Sequence, residues 1–261
     1  MLGVAEPTRE AVHALYVHAL VRITALGPGG TAERVGPWLC VDAGLGVSDF
    51  NIAVVVEPVS NPVAALREAM NWFANRGINA RFDLRGSVDR ELLAAAMVEG
   101  LVFKYREPTM VLYPLPATFP AHLPLEIRAV ETDSDIQQYC SVDRDEFHDQ
   151  DFQRAMVERS VTMPGVTLHL GLLDGRPVAR SMGMLLGELV AVHNVYVAPD
   201  FRKRGFGSAL TAAAIEAGAR EGATAACLEA TILGFPVYEA MGFRKIDDYV
   251  VMGSDSPIFP K

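Results

Sequence analysis

Residues 195–210 read Val195-Tyr196-Val197-Ala198-Pro199-Asp200-Phe201-Arg202-Lys203-Arg204-Gly205-Phe206-Gly207-Ser208-Ala209-Leu210. An alternating β-branched strand is stopped by Pro199 and followed by a basic turn with two glycines. An Ala-rich helix is predicted from Ser208 to Arg220. The unpaired N–H groups of a first helical turn and the helix dipole favour an anion there. Gly205 and Gly207 let a phosphate approach the backbone closely, and Arg202, Lys203 and Arg204 add positive charge.

The Arg202-x-x-Gly205-x-Gly207 turn after a Val-x-Val-x-Pro strand resembles the acyl-CoA-binding motif of the GNAT acyltransferase superfamily. It has neither the Gly-Lys-Ser/Thr ending of a P-loop nor the three glycines of a dinucleotide fingerprint. A strand-to-helix turn with basic surface residues remains the alternative. The resemblance implies acetyl-CoA, or a related short acyl-CoA, as co-substrate without a metal. Its expected contacts are Val195, Tyr196, Val197, Arg202, Lys203, Arg204, Gly205, Phe206, Gly207 and Ser208.

A proline-rich segment, residues 113–124, divides the chain into two predicted domains, because four prolines exclude a helix or central strand there. We expect an N-terminal domain at 1–118, a linker at 119–124 and a catalytic domain at 125–261. The elements predicted after the linker follow the order β-α-α-β-β-β-α-β-α-β, which is the order of a GNAT domain. The expected fold class is therefore α/β with a mixed sheet.

The N-terminal half resembles a degenerate copy of the same domain, although an unrelated α+β domain is the alternative. A strand at 50–56, a helix ending at Gly77, a further strand and a second helix parallel the run from His193 to Gly242. Val56 to Gly77 is 21 positions, whereas Val197 to Gly222 is 25, so the copy is four residues short at the phosphate turn. This half is therefore not expected to hold CoA in the usual way.

Tyr238 lies in a segment that resembles the family's Tyr-x-x-x-Gly-Phe motif, here Tyr238-Glu-Ala-Met-Gly242-Phe243. The resemblance implies that its phenol protonates the departing thiolate, and the high intrinsic pKa of a phenol keeps that proton available. It also implies that a backbone N–H near Val195–Val197 polarises the thioester carbonyl while pantetheine lies along the strand edge. A packing role is the alternative for Tyr238.

The general base is less well defined by the sequence. Many family members carry a Glu on the strand that leads into the phosphate turn, but here Leu189 to Val197 contains no carboxylate. His193 is the titratable residue with a suitable intrinsic pKa on this strand. Glu229 on the neighbouring strand and an ordered water are the alternatives.

An acidic segment, residues 143–151, contains five carboxylates in the region where the family's acceptor enters. Carboxylates there favour a cationic amine such as a polyamine, an aminoglycoside or a lysine side chain. A solvated charged loop that caps a helix is the competing interpretation.

Composition narrows the function classes. The formal net charge of −9 argues against nucleic-acid binding, and no apolar run is long enough to span a bilayer. The three cysteines, Cys40, Cys140 and Cys227, are predicted to be buried thiols in a reducing compartment. We expect a cytoplasmic monomer or homodimer without a signal peptide.

The sequence thus predicts an N-acyltransferase that moves a short acyl group from acyl-CoA to a primary amine of a small molecule or protein. The transfer is expected to be direct, in a ternary complex, since no cysteine lies in the motifs. A non-catalytic acyl-CoA-binding sensor and a pure interaction module are the competing classes.

Overall fold

The computed structural model describes residues 6–23, 29–44, 50–120, 124–143 and 150–254. These residues form a mixed α/β fold, as predicted, in which helices are interspersed among the strands. None of the helices in these ranges is long and apolar enough to cross a bilayer. In chain order the elements are α1 (Arg9–Ile23), β1 (Thr31–Val35), β2 (Trp38–Asp42), β3 (Ile52–Val55), α2 (Pro62–Ala74), β4 (Arg81–Arg85), α3 (Arg90–Val98), β5 (Val102–Leu112), β6 (Glu126–Ala129), α4 (Asp133–Ser141), α5 (Gln150–Ser160), β7 (Val166–Leu173), β8 (Arg176–Leu186), β9 (Leu189–Val197), α6 (Phe206–Arg220), β10 (Ala225–Glu229), α7 (Phe235–Ala240) and β11 (Arg244–Gly253).

Most predicted elements are confirmed, and three differ. The sequence predicts two strands on either side of Pro108, at Leu101–Tyr105 and Met110–Tyr113, but one continuous strand, β5, replaces them. The strand β1 was not predicted because its Thr-Ala-Glu-Arg-Val sequence shows no apolar alternation; it forms by pairing with β2. The helix α6 begins at Phe206 rather than at Ser208, because Gly205 already serves as its N-cap.

The chain forms two compact units, Met1–Leu15 with Met110–Arg244 (unit 1) and Tyr16–Thr109 with Lys245–Lys261 (unit 2). Each unit therefore takes segments from both sides of the proline-rich segment. The strand β5 begins in unit 2 and ends in unit 1, and β11 continues from unit 1 into unit 2. The boundaries at 118 and 125 remain a prediction about the sequence halves, and they do not coincide with the spatial units.

Unit 1 contains the strand order β5-β10-β9-β8-β7-β6, with β5 represented from Met110 onwards. Strands β6 to β9 are antiparallel neighbours, and β10 runs parallel to β9. The helix α6 packs on one face, where Ser181 Oγ donates to the Leu210 carbonyl at 2.8 Å. Gly218 permits this approach, since a Cβ there would lie 2.7 Å from Val190 Cβ. The other face is covered by α4, whose Tyr139 hydroxyl donates to the Ser181 carbonyl.

Unit 2 contains the strand order β1-β2-β3-β4-β11-β5. Strand alternation divides its apolar residues between two cores. Trp38 and Phe82 join the core under α2 and α3, whereas Leu39 and Val54 join the core under α1. The strands β3 and β4 are parallel, and their ladder covers Ile52–Val54, three of the four residues of β3.

All three cysteines are free and buried, which confirms the prediction of buried thiols. Burial raises the pKa of Cys40 to about 12 and that of Cys140 to about 11. Neither thiol is therefore ionised near neutral pH, and a low-pKa nucleophilic thiol is not found at these two positions.

Candidate functional site

The strand β9 contains a β-bulge just before the predicted phosphate turn. Met182 pairs with His193, and Arg180 pairs with Tyr196. The paired residues are therefore two positions apart on β8 but three positions apart on β9, which gives β9 one extra residue. Asn194, inside the bulge, has a φ of 52°, in the left-handed region where Asn is tolerated better than most residues. A bulge of this kind redirects the backbone and side chains of the strand that carries it.

The strands β9 and β10 stop pairing halfway along their length. Their parallel ladder joins Leu189–Ala191 to Ala225–Cys227. Within residues 150–254 the register extends no further, although β9 continues to Val197 and β10 to Glu229. The two strands therefore have edges facing each other beyond Ala191, and Val195, Tyr196 and Val197 lie on the β9 side of this opening. Such an edge can accept an extended ligand as an added strand.

The turn after β9 leads into an uncapped helix N-terminus. A short 3-10 helix, Pro199–Phe201, is followed by Lys203 at φ 61° and Gly205 at φ 80°. Gly205 begins α6 without a side-chain cap, and the first turn of the helix has no acidic residue. The first main-chain bond of this helix runs from Ala209 N–H to the Gly205 carbonyl at 3.0 Å. The preceding amides of Phe206, Gly207 and Ser208 have no intrahelical acceptor, which is the arrangement that binds anions.

Gly207 is a glycine that the fold does not require. Its φ is not positive, and a Cβ added there would meet only the Val197 Cγ2, at 3.8 Å. Glycine inside a helix costs roughly 1 kcal/mol relative to alanine. The space beside the first-turn amides is therefore open, and a ligand can approach the backbone at this point.

The basic triplet is exposed, and two of its members are held by the turn itself. Arg202 Nε donates to the Val197 carbonyl at 2.9 Å, and its guanidinium lies 5.6 Å from the Tyr196 ring centroid. Arg204 donates to the Asp200 carbonyl at 3.2 Å. These bonds leave the positive charges beside the N-terminus of α6, where they add to the helix dipole.

Tyr238, on α7, is buried in the core against α6. It belongs to the same buried cluster as Val192 and Leu228, and its ring is 5.8 Å from that of Phe243. Burial raises the pKa of the phenol above 10, and the side chain of Thr211 acts in the opposite direction. The Thr211 hydroxyl has no hydrogen-bond partner of good geometry among the described residues. Tyr238 is thus a neutral phenol on the α6 face of the sheet.

His193 lies on the opposite face. It is paired across the sheet with Met182, two residues from Arg180, whose guanidinium lies over the Tyr139 ring of α4. Its Nε2 is buried and has no hydrogen-bond partner within the described ranges. Burial lowers the pKa of the imidazole to about 4, so the ring is neutral at pH 7. Glu229, the alternative base, is half-buried at the end of β10.

Three polar residues lie buried on the His193 face, and two of them, Arg180 and Gln153, were not predicted from the sequence. Arg180, Asp143 and Gln153 are all at least nine-tenths buried. Arg180 pairs with one oxygen of Asp143, and Gln153 Nε2 donates to the other at 2.7 Å. The available signal was the position of Arg180, a charged residue in the middle of the apolar strand β8.

The acidic segment is described only in part. Asp145, Glu146 and Asp149 lie outside the described residues. Asp143 is buried in the ion pair, and Asp151 is exposed in the first turn of α5. Asp143 is therefore not available as a solvated carboxylate of an entrance loop.

Comparison with known proteins finds a family model that matches the second half of the chain and solved structures of similar fold. The model of the acetyltransferase (GNAT) family matches residues 130–243. No curated protein matches the chain. Among solved structures, the chain is similar to a GCN5-related N-acetyltransferase from Kribbella flavida, with 20% identity and a TM-score of 0.73 over 97% of this chain and 98% of that one.

Two further structures are similar over most of the chain. One is a GCN5-related N-acetyltransferase from Sphaerobacter thermophilus, with 16% identity and a TM-score of 0.64 over 80% of this chain and 73% of that one. The other is a tandem GNAT protein from the clavulanic acid biosynthesis pathway, with 15% identity and a TM-score of 0.61 over 90% of this chain and 85% of that one. At these identities the likeness establishes the fold. Residues 130–243 of this chain thus match the GNAT acetyltransferase family model, and the similar structures, one of them a tandem GNAT protein, cover most of the chain.

Proposed function

We propose that the protein is an N-acyltransferase that moves an acetyl or other short acyl group from acyl-CoA to a primary amine in a ternary complex. The observation that carries this proposal is the uncapped N-terminus of α6 with unfilled space at Gly207. Together with the family of the domain, it favours a phosphate ligand that contacts the amides of Phe206 to Ser208. Arg202, Lys203 and Arg204 supply the charge that attracts such a ligand.

The opening between β9 and β10 suits the pantetheine arm of the donor. The ladder with β10 ends at Ala191, so the edge of β9 from Val195 to Val197 is not paired with β10. A main-chain N–H at this position would polarise the thioester carbonyl, as oxyanion donors do. The bulge at Asn194 sets the direction of these groups.

The reaction needs two proton transfers, and we place one on each face of the sheet. The amide C–N bond forms, the thioester C–S bond breaks, the amine loses one proton and the departing sulfur gains one. Tyr238, neutral on the α6 face, donates the proton to sulfur; His193, neutral on the α4 face, takes the proton from the amine. The pKa of about 4 makes His193 a weak base, and Glu229 or a water remains the alternative.

The N-terminal half, 1–118, is proposed to be silent toward acyl-CoA, and 125–261 to be the catalytic half, joined by 119–124. Two contrasts support this. The helix α2 is capped by its own Asn61, whose Oδ1 accepts from Ala64 N–H at 3.2 Å, whereas α6 has no such cap. The ladder between β3 and β4 also extends over most of β3. The free, buried cysteines fit a reducing compartment, and the cytoplasm is the proposed location.

A calorimetric titration of acetyl-CoA into the full chain tests the donor site. We expect a stoichiometry of one per chain. No binding would overturn both the enzyme and the sensor proposals, and two sites would overturn the silent N-terminal half.

The second candidate function is a non-catalytic acyl-CoA sensor. It is favoured by the absence of a carboxylate on β9 and by the low basicity of His193. Release of CoA in the presence of amines separates the two functions. Tight binding without CoA release from any amine would favour the sensor.

A further inference from the structure

The His193 face of unit 1 carries buried polar atoms whose hydrogen-bonding capacity is not used by the described residues. Arg180 Nε, Gln153 Oε1 and His193 Nε2 are buried and lack a hydrogen-bond partner there. Gln153 is 1% exposed and Arg180 is 8% exposed. An unused donor or acceptor in such an environment costs free energy unless a ligand satisfies it. The set consists of one N–H donor, one carbonyl acceptor and one imidazole nitrogen.

These groups share one face of the sheet. Arg180 is paired with Tyr196, and Met182 with His193, across β8 and β9. Residues paired across neighbouring strands point to the same side, as do alternate residues of one strand. Arg180 and His193 therefore project toward α4 and α5, whereas Ser181 projects toward α6. Gln153 of α5 is joined to Arg180 through Asp143.

The charge in this cluster is already balanced. One oxygen of Asp143 accepts from Arg180 and the other from Gln153. A diamine would bring a second ammonium group into this cluster. Both oxygens of Asp143 already accept a hydrogen bond, so the Gln153 carbonyl is the acceptor left for that group in this cluster. An oxygen atom next to the amine would instead meet the unused N–H of Arg180, and charge-assisted bonds of this kind are the stronger ones.

We propose that Arg180 and Gln153 select acceptors that carry a carbonyl oxygen next to the amine, the α-amino carbonyl group. This inference rests on the proposed function of the same site. Arg180 Nε–H donates to the carbonyl oxygen, and the amine donates to Gln153 Oε1 on the side where His193 lies. Free amino acids and amino-terminal residues of peptides both supply this group, and polyamines do not.

Four matched probes test the selection: alaninamide, alanine, 1,2-diaminopropane and isopropylamine. They share one branched amine and differ in the third substituent. Their dissociation constants are measured by calorimetry with the full chain saturated with CoA, or with the free chain if CoA does not bind. This readout does not require turnover. We expect alaninamide to bind at least tenfold more tightly than isopropylamine, and 1,2-diaminopropane to resemble isopropylamine.

Alanine separates the two sources of the group. Binding of alanine equal to that of alaninamide supports a free amino acid, and weaker binding supports a peptide amino terminus. Equal affinity for all four probes would overturn the proposal, as would tighter binding of the diamine. Selective binding without acyl transfer would reject the enzyme but keep the selection.

Variants of Arg180 and Gln153 test whether these two residues cause the preference for alaninamide. Arg180→Lys keeps a positive charge beside Asp143 but removes the Nε–H, and we expect the preference for alaninamide to fall to within twofold. Gln153→Met removes the carbonyl and should weaken all four probes alike. Arg90→Lys, at the exposed first residue of α3, is the matched control and should change nothing. If Arg180→Lys does not fold, Gln153→Met still tests the proposal. Unchanged affinity of Gln153→Met for the four probes would contradict the assignment of the amine to Gln153.

Discussion

Gly207 and Val197 approach one another across the phosphate turn, and a Cβ on Gly207 would lie 3.8 Å from the Val197 Cγ2, an ordinary van der Waals distance. The protein itself therefore leaves room for alanine at position 207. Gly205, two residues earlier, differs because its φ of 80° disfavours any side chain. The backbone of the turn requires Gly205, whereas the proposed donor site accounts for Gly207.

Gly207→Ala should separate binding from folding. Alanine is the better helix former, so we expect the free energy of unfolding to be unchanged or raised by up to about 1 kcal/mol. The added methyl group occupies the approach to the first-turn amides, so acetyl-CoA affinity should fall about tenfold or more. Urea unfolding and calorimetry measure the two quantities.

Gly218→Ala is the matched control, since it is also in α6. Its Cβ would lie 2.7 Å from Val190 Cβ, so we expect a loss of about 1–3 kcal/mol in stability from overpacking. Equal acetyl-CoA affinity in Gly207→Ala and the native protein would remove the phosphate role of this turn.

Tyr238→Phe should preserve binding and slow the reaction. The phenol is buried and its pKa is raised by that burial, so it remains protonated across the working pH range and can donate to sulfur. We expect acetyl-CoA affinity within a few-fold of native and turnover at least about tenfold slower. Unchanged turnover at saturating substrates would assign Tyr238 to packing alone.

The pH dependence of kcat/KM tests His193. Only the unprotonated ring can accept a proton, and its pKa is lowered to about 4 by burial. After correction for the fraction of unprotonated amine, kcat/KM should therefore be flat from about pH 8 to pH 5 and fall below that. His193→Gln should lower turnover about tenfold or more with acetyl-CoA binding retained. An inflection near pH 6.5 that His193→Gln abolishes would show that the ring is solvated, contrary to its buried Nε2.

Stability should fall in mildly acidic solution because of His169. This residue is buried on β7, and burial lowers its pKa to about 4, with Arg220 adding to the shift. A lowered folded-state pKa means that the unfolded chain binds the proton first, so stability is complete above pH 6.5 and is lost as the pH falls toward 4. The contribution lost between pH 7.5 and pH 5 is about 2 kcal/mol for one such histidine.

His169→Phe should reduce that pH dependence. Urea midpoints at the two pH values give the slope for the native protein and the variant, and the difference between slopes is independent of how well Phe packs at pH 7.5. A variant with the native slope would show that His169 is protonated at little cost in the folded protein.

A fragment cut at the predicted domain boundary should fold poorly. Residues 125–261 lack Met110 and Leu112, which are buried in unit 1 with Ala226 and Leu228. Removing such side chains costs roughly 2–5 kcal/mol each, against a total stability of about 5–15 kcal/mol. We expect residues 125–261 to unfold at lower urea concentration than residues 108–261, which restore the missing strand segment. Equal midpoints would support the boundary as a true domain limit.

Unit 2, which contains β3 and α2, offers a comparison for the donor site. Its strand–helix junction has the same order as the junction of β9 and α6, but Asn61 caps α2 and no glycine opens the turn. The Asn61 side chain therefore occupies, at the N-terminus of α2, the position that an anion would take at an uncapped helix.

Local patterns in the sequence determined most of the elements. Apolar alternation and turn residues predict strands at Val166–Leu173, Pro177–Leu186 and Leu189–Val197. The strands β7 and β9 have these bounds, and β8 begins one residue earlier, at Arg176. Asp174 and Gly175 have the positive φ values that a tight hairpin requires. The phosphate turn, the helix that follows and the short helix of Tyr238 were also predictable, since periodicity and turn chemistry act over a few residues.

Only the tertiary structure decided how distant segments combine. The end of the β9–β10 ladder, the bulge at Asn194 and the placement of His193 and Tyr238 on opposite faces depend on register between strands. Arg180 and Asp143 are 37 residues apart and meet only because α4 and α5 cover that face. The distribution of β5 and β11 between the two units likewise depends on strand pairing that no local pattern encodes. Local preferences specify which residues form strands, whereas burial of complete sheet faces selects their partners.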